Sequence, residues 1–170
     1  MFAQSPVSRV LTALHIPHRV FHHSGPVRSL AQAARERGQM PEQVVRSILF
    51  RLGKGRFVMV LAAGGGQISW PALRAYLGQS RLTLASEDEV LQVTGYRIGT
   101  VAPIGLPAPL RILADAAVFR YEEISLGSGE PNVGIILKSA DLRRVLEMVE
   151  VGKFVQEAET DAVKNDSTSA

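Results

Sequence analysis

The sequence predicts a single α/β domain of the α+β type, built on a mixed, mostly antiparallel sheet with flanking helices. Three observations lead there. Apolar residues make up 46% of 170 positions, enough for one full hydrophobic core. Two strand-like runs, 47–52 and 56–63, are joined by Gly53-Lys54-Gly55, which reads as a hairpin turn. Capped helical runs are scattered among the strands instead of alternating with them, which argues against a doubly wound parallel sheet.

The elements follow in order. Ser5-Pro6 reads as an N-cap with proline at the first helical position, and Val7, Val10, Leu11 and Leu14 recur at helical spacing until Pro17. A short strand is expected over 18–22. Ser29 caps a second helix that exits at Gly38, and Pro41 starts a short third one ending near Val45. After the hairpin, Ser69 and Pro71 open a helix over 70–77 that Gly78 closes. Residues 82–84 form a short strand, and Ser86 with Glu89 makes a capping box for a helix ending at Gly95. The glycine- and proline-rich stretch 95–109 is irregular. Strands are expected at 110–113, 122–126 and 133–137, then a last helix capped by Ser139 and running to about Val149. Residues 1–155 are taken as the domain and 156–170, small and polar, as a flexible C-terminal tail.

Composition narrows the chemistry. No run reaches the roughly 20 apolar residues of a membrane span, and the N-terminus shows no signal-peptide pattern. Without cysteine there is no disulfide framework, thiolate metal site or cysteine nucleophile, and a reducing cytoplasm is the expected location. A net charge of +3 is compatible with an anionic partner.

Gly64-Gly65-Gly66 misses the dinucleotide fingerprint, since Ser69 stands at its third glycine, so it reads as a plain turn. His15, His18, His22 and His23 lack neighbouring acids to complete a zinc set, so no metal and no cofactor is expected. His23 alone reads as a histidine lining a cleft at a strand end. The nucleophile-elbow pattern is absent, because Gly127-Ser128-Gly129 has the wrong spacing. The segment Gly99-Thr100-Val101-Ala102-Pro103-Ile104-Gly105 either presents backbone N–H groups to an oxyanion or merely turns a corner. Arg46, where a helix gives way to an apolar strand, is either functional or a solvated strand end.

Taken together, these segments resemble the YbaK/ProX family of aminoacyl-tRNA deacylases, which includes the editing domain of bacterial prolyl-tRNA synthetases. The resemblance runs from about Arg9 to Leu146. It is carried by 10–17, by Val-Val-Arg-Ser-Ile-Leu-Phe at 44–50, by Thr94-Gly-Tyr followed by the loop ending at Gly105, by 127–129 and by 137–142. It implies a YbaK-like fold with a cleft for the 3′ end of aminoacyl-tRNA, and an aminoacyl-tRNA synthetase as a second partner. DNA and membrane are not expected partners.

The activity it implies is trans-editing: hydrolysis of a small amino acid (Cys, Ala or Pro) from mischarged tRNA related to tRNA-Pro. Water attacks the ester, assisted by the substrate's own ribose hydroxyl. The resemblance further implies Arg46, Gly99 and Pro103 as catalytic residues. It places His23, Ser47, Thr100, Val101, Gly105, Gly127, Ser128 and Gly129 around the substrate. The family usually carries lysine where Arg46 stands and often Gly-Gly where Gly99-Thr100 stands. The substitution at Arg46 favours a second reading, a tRNA-binding or synthetase-associated module of the same fold with weakened catalysis. A third is a hydrolase of some other small ester.

Overall fold

Local signals set most element boundaries in the computed structural model, which describes residues 4–157. Ser5 Oγ accepts from Ser8 N at 3.2 Å and opens α1 (Pro6–Ala13). Strand β1 (His18–His22) follows, then α2 (Leu30–Glu36), capped by Ser29 as expected. The hairpin comprises β2 (Val45–Gly53) and β3 (Arg56–Ala63). Next come α3 (Trp70–Leu77), β4 (Thr83–Leu84) and α4 (Glu87–Thr94), whose capping box between Ser86 and Glu89 is formed. Irregular chain leads to β5 (Arg111–Asp115), β6 (Glu123–Gly127), β7 (Val133–Lys138), α5 (Ser139–Val145) and β8 (Glu150–Gly152).

Two sheets form instead of one. The smaller is antiparallel, in the order β1-β7-β6. The larger runs β4-β2-β3-β5-β8, antiparallel except for the β3–β5 and β5–β8 pairs. The main core packs Leu49, Met59 and Leu61 of the larger sheet against Ile124, Leu126 and Ile135 of the smaller. A second core, with Phe50, Val58 and Leu113, lies under α3 on the other face of the larger sheet. Alternation along β2 divides the two: Val45 and Leu49 belong to the first core, Phe50 to the second.

Several boundaries differ from the sequence reading. The third helix is only a 3-10 turn over Pro41–Gln43, and β2 begins at Val45, so Arg46 and Ser47 are strand residues on opposite faces. The helix α5 ends at Val145 rather than near Val149. Its N-cap is Lys138, while Ser139 Oγ donates to Tyr121 O at 2.6 Å. A 3-10 turn at Ala116–Phe119 and the three-residue β8 carry too little periodicity to be read in advance. Most of the proposed tail lies outside the described residues. At its start, Gln156 N still donates to Gln67 O at 2.8 Å.

One buried carboxylate ties the end of the domain down. Asp115 Oδ1 accepts from Ala117 N at 3.0 Å, and Oδ2 accepts from Phe154 N at 2.8 Å and Val155 N at 3.0 Å. Removing it leaves three backbone donors without an acceptor, at about 1–3 kcal/mol for each that stays dry. Asp115→Ala is therefore expected to lower unfolding free energy by at least about 2 kcal/mol. Urea denaturation checks this, and an unchanged midpoint would show that the anchor is dispensable.

Candidate functional site

The two sheets meet where β2 begins. Val44 bridges Ser125 in parallel, and its carbonyl accepts from Gly64 N at 2.8 Å. A cavity of about 570 Å³ opens at this seam. It is walled by α2, the start of β2, the loop after α4, and the facing ends of β6 and β7.

Arg46 enters the cavity wall from β2. Its Nε donates to Gly64 O at 2.7 Å and its Nη2 to Gly66 O. The triple glycine is thus more than a turn, because it folds back from β3 and presents two carbonyls that fix the guanidinium. Burial lowers the Arg46 pKa from its ordinary value, and arginine remains protonated at any physiological pH. The terminal nitrogen Nη1 has no hydrogen bond among the described residues. Next along the strand, Ser47 also lines the cavity, and its buried Oγ has no hydrogen-bond partner among the described residues.

The loop from Gly99 forms the facing wall. Gly99 has φ +89°, a left-handed conformation open to glycine at little cost. Thr100 N and Oγ1 both donate to Arg97 O, at 3.0 and 2.8 Å, closing a tight turn. No acceptor among the described residues takes the N–H groups of Gly99 or Val101, and both residues line the cavity. The loop is held from behind. Gly129 N donates to Thr100 O at 2.9 Å, and Tyr96 Oη donates to Ile104 O at 2.6 Å. At Gly127 a Cβ would stand 2.4 Å from Val101 O and 2.9 Å from Thr100 O, so only glycine permits the approach. Burial pushes the Tyr96 hydroxyl above its ordinary pKa, keeping it a donor.

The predicted site residues therefore divide. Arg46, Ser47, Gly99, Thr100, Val101 and Gly127 line the cavity. Pro103 is buried between Ala102 and Ile104 of the main core. A Cβ at Gly105 would meet Tyr96 Oη at 2.6 Å, and one at Gly129 would meet the Tyr96 ring. Ser128 Oγ closes a local turn, accepting from Glu130 N and donating to Glu130 O, both at 3.1 Å. These four support the loop from outside the cavity.

His23 points inward and does not line the cleft; its side chain is 0% exposed. Its Nε2 lies 3.1 Å from Arg37 Nε, which can only donate. The ring proton is therefore on Nδ1 and is donated to Glu36 Oε1 at 2.9 Å. The hydrogen bonds from His23 and Gln32 hold the Glu36 carboxyl below the usual carboxylate range. Arg37, which the sequence did not single out, does line the cavity. Tyr96 was read only as part of a motif, although a tyrosine beside a glycine-rich loop was the available signal. Among the described residues no group of three His, Asp or Glu side chains is arranged to hold a metal.

Comparison with known proteins is consistent in direction. A sequence profile of the aminoacyl-tRNA editing domain matches residues 24–145. A proline–tRNA ligase of Trichlorobacter lovleyi is 30% identical over 122 residues, covering 72% of this chain and 20% of the ligase. One from Kosmotoga olearia is 38% identical over 92 residues, covering 54% of this chain and 16% of that protein. The chain thus spans about a fifth of the length of these curated relatives. Among solved structures, a proposed trans-editing enzyme for prolyl tRNA synthetase superposes with a TM-score of 0.80. It is 24% identical, and the match covers 89% of this chain and 96% of that one. At that identity the likeness establishes the fold, a YbaK-like mixed α/β arrangement.

The close approach at Gly127 supplies a test of the loop's support. Gly127→Ala is expected to cost about 1–3 kcal/mol through overpacking and to shift the amide resonances of Gly99 and Val101. Gly65→Ala, whose Cβ meets nothing within 4 Å, is the control and should stay within about 0.5 kcal/mol of wild type. Equal stabilities and unmoved resonances for Gly127→Ala would mean that the loop does not rest on β6.

Proposed function

The chain belongs to the aminoacyl-tRNA editing domain family, and from that membership we propose that it is a trans-acting deacylase clearing small amino acids from mischarged tRNA. The observation that carries this reading is the convergence of unspent donors on one cavity. Arg46, Ser47, Gly99 and Val101 all line it, and Arg46 Nη1, the Gly99 and Val101 N–H groups and the buried Ser47 Oγ have no hydrogen-bond partner among the described residues. Such a set suits a group carrying several oxygens, as a terminal ribose and its acyl ester do.

In the proposed reaction a water oxygen attacks the ester carbonyl, and the resulting oxyanion is met by the loop N–H groups. The neighbouring ribose hydroxyl of the substrate relays the water's proton. The tetrahedral intermediate collapses by breaking the bond to the esterified ribose oxygen, which takes up a proton. The products are a free amino acid and tRNA with its terminal hydroxyl restored. Arg46 has no basic nitrogen to offer and acts by holding a substrate oxygen. An aminoacyl ester is already activated, so orientation and oxyanion stabilisation account for the chemistry.

Cysteine, alanine and proline are the acyl groups first to be tried, and the prolyl-tRNA synthetase relatives point to tRNA-Pro. The cytoplasm is the proposed site of action. No described helix is long and apolar enough to cross a membrane. A second reading, a tRNA-binding or synthetase-associated module with little catalysis, draws on Arg46 itself. Two of its nitrogens are spent on Gly64 and Gly66, as in a fixed binding element.

Steady-state deacylation by three forms separates the readings. Arg46→Lys should keep measurable activity, and Arg46→Ala should lose about 10- to 150-fold, the worth of hydrogen bonds to a charged group. An inert wild type restored by Arg46→Lys would instead support the binding module. Gly99→Ala meets no neighbour within 4 Å but must keep φ near +89°, which a side chain resists. Turnover should fall about 100- to 1,000-fold if the loop donors meet the oxyanion. Normal turnover in a folded Gly99→Ala protein would reduce the loop to a corner. Activity should also persist in a strong chelator, and zinc-reversible loss would refute the mechanism.

A further inference from the structure

The proposed reaction makes no use of the cavity's second cation. Arg37 follows α2 directly and lines the cavity beside apolar Leu30, Ala33, Leu126 and Val133. Its Nε donates to His23 Nε2 at 3.1 Å and its Nη1 to Ser125 Oγ at 2.9 Å. Both partners are neutral. Glu36 makes no hydrogen bond to it: His23 Nδ1 meets Glu36 Oε1 and Gln32 meets Oε2, while the Glu36 charge acts on the guanidinium through space and favours its protonated form. Ser125 Oγ in turn donates to Gln39 Oε1 at 2.6 Å, leaving its lone pairs for Arg37. Arg37 has no carboxylate within ion-pairing distance among the described residues.

The guanidinium is therefore fixed at two nitrogens, and its third, Nη2, has no hydrogen bond among the described residues. Burial works against its charge and the neighbouring Glu36 partly supports it; a partly desolvated cation with no carboxylate bonded to it still gains from an anionic ligand. Space has been made for it: a Cβ at Gly134 would lie 2.5 Å from Arg37 Cζ. Among the described residues the one acid lining the same cavity, Glu130, is partly exposed and forms no ion pair with Arg37.

We propose that Arg37 reads the acyl group, and that the cavity selects a small amino acid whose side chain ends in a carboxylate, the aspartyl ester being the shortest. Apolar walls accept the short stem, and a planar donor held from behind meets the anionic head. This rests on the deacylase reading for the identity of the ester, but it is a statement about binding.

The test uses non-hydrolysable amide analogues, aspartyl- and alanyl-amido-deoxyadenosine, titrated calorimetrically into wild type, Arg37→Gln and Arg37→Lys. Wild type should bind the aspartyl analogue about 10- to 100-fold more tightly than the alanyl one. Arg37→Gln should bring the two within about twofold without weakening the alanyl analogue, and Arg37→Lys should keep part of the preference. Equal binding by wild type, binding of neither analogue, or equal weakening of both in Arg37→Gln overturns the proposal. The last result would indicate a phosphate contact or a purely structural role. If Arg37→Gln fails to fold, the wild-type preference and the Arg37→Lys comparison still decide. No step of this test requires turnover, so a chain inert toward every charged tRNA would defeat the deacylase reading and leave this comparison to stand or fall alone.

Discussion

The contact between the end of β6 and the loop after α4 is a constraint on which the rest of the cavity depends. Gly127 lets the strand approach the Thr100 and Val101 carbonyls more closely than any side chain allows. With those carbonyls close to the strand, Gly129 N closes the Thr100 one, while Gly99 and Val101, whose N–H groups have no acceptor among the described residues, line the cavity. Tyr96 completes the brace, with its hydroxyl on Ile104 O and its ring against Gly129. The donors are therefore positioned by core packing instead of by the loop's own preferences, which is what preorganisation of an oxyanion site requires.

A parallel logic holds Arg46. A strand residue would ordinarily swing its guanidinium freely, at a rotamer entropy of about 2 kcal/mol. Here the glycine turn from β3 returns over β2 and takes two of its nitrogens. Arg37 is held in the same manner by His23 and Ser125. The cavity thus carries two anchored cations, each with one terminal nitrogen unspent. The loop and the two arginines come from different parts of the chain and converge only because the Val44–Ser125 bridge joins the sheets.

The sequence made the local features legible. Serine caps, prolines at first helical positions and the Gly53-Lys54-Gly55 turn placed four helices and the hairpin to within a few residues, since each signal acts over one turn of chain. Pairing was not legible. That β1 joins β7 rather than β2, or that β8 lies along β5, depends on long-range burial that alternation alone does not encode. The site shows the same division. Arg46 and Gly99 stood out by residue type and by family resemblance. The acceptors of Arg46 on Gly64 and Gly66, the inward turn of His23 and the arrival of Arg37 at the cavity are consequences of tertiary packing. Gly64-Gly65-Gly66 was read as a turn, which is correct as geometry and silent about its carbonyls.

Taken as chemistry, the cavity offers hydrogen-bond donors and two cations, while Glu130, the one carboxylate lining it among the described residues, has no part in the proposed reaction. In the proposed reaction the proton of the attacking water passes through the substrate. The most direct test is single-turnover deacylation of tRNA whose terminal adenosine carries the amino acid on one ribose oxygen and lacks the neighbouring hydroxyl. The account predicts a rate about 100-fold or more below that of the native ester, the usual worth of a positioned proton-transfer group, with binding little changed. An undiminished rate on the deoxy substrate would contradict it and place the proton transfer on a group of the protein.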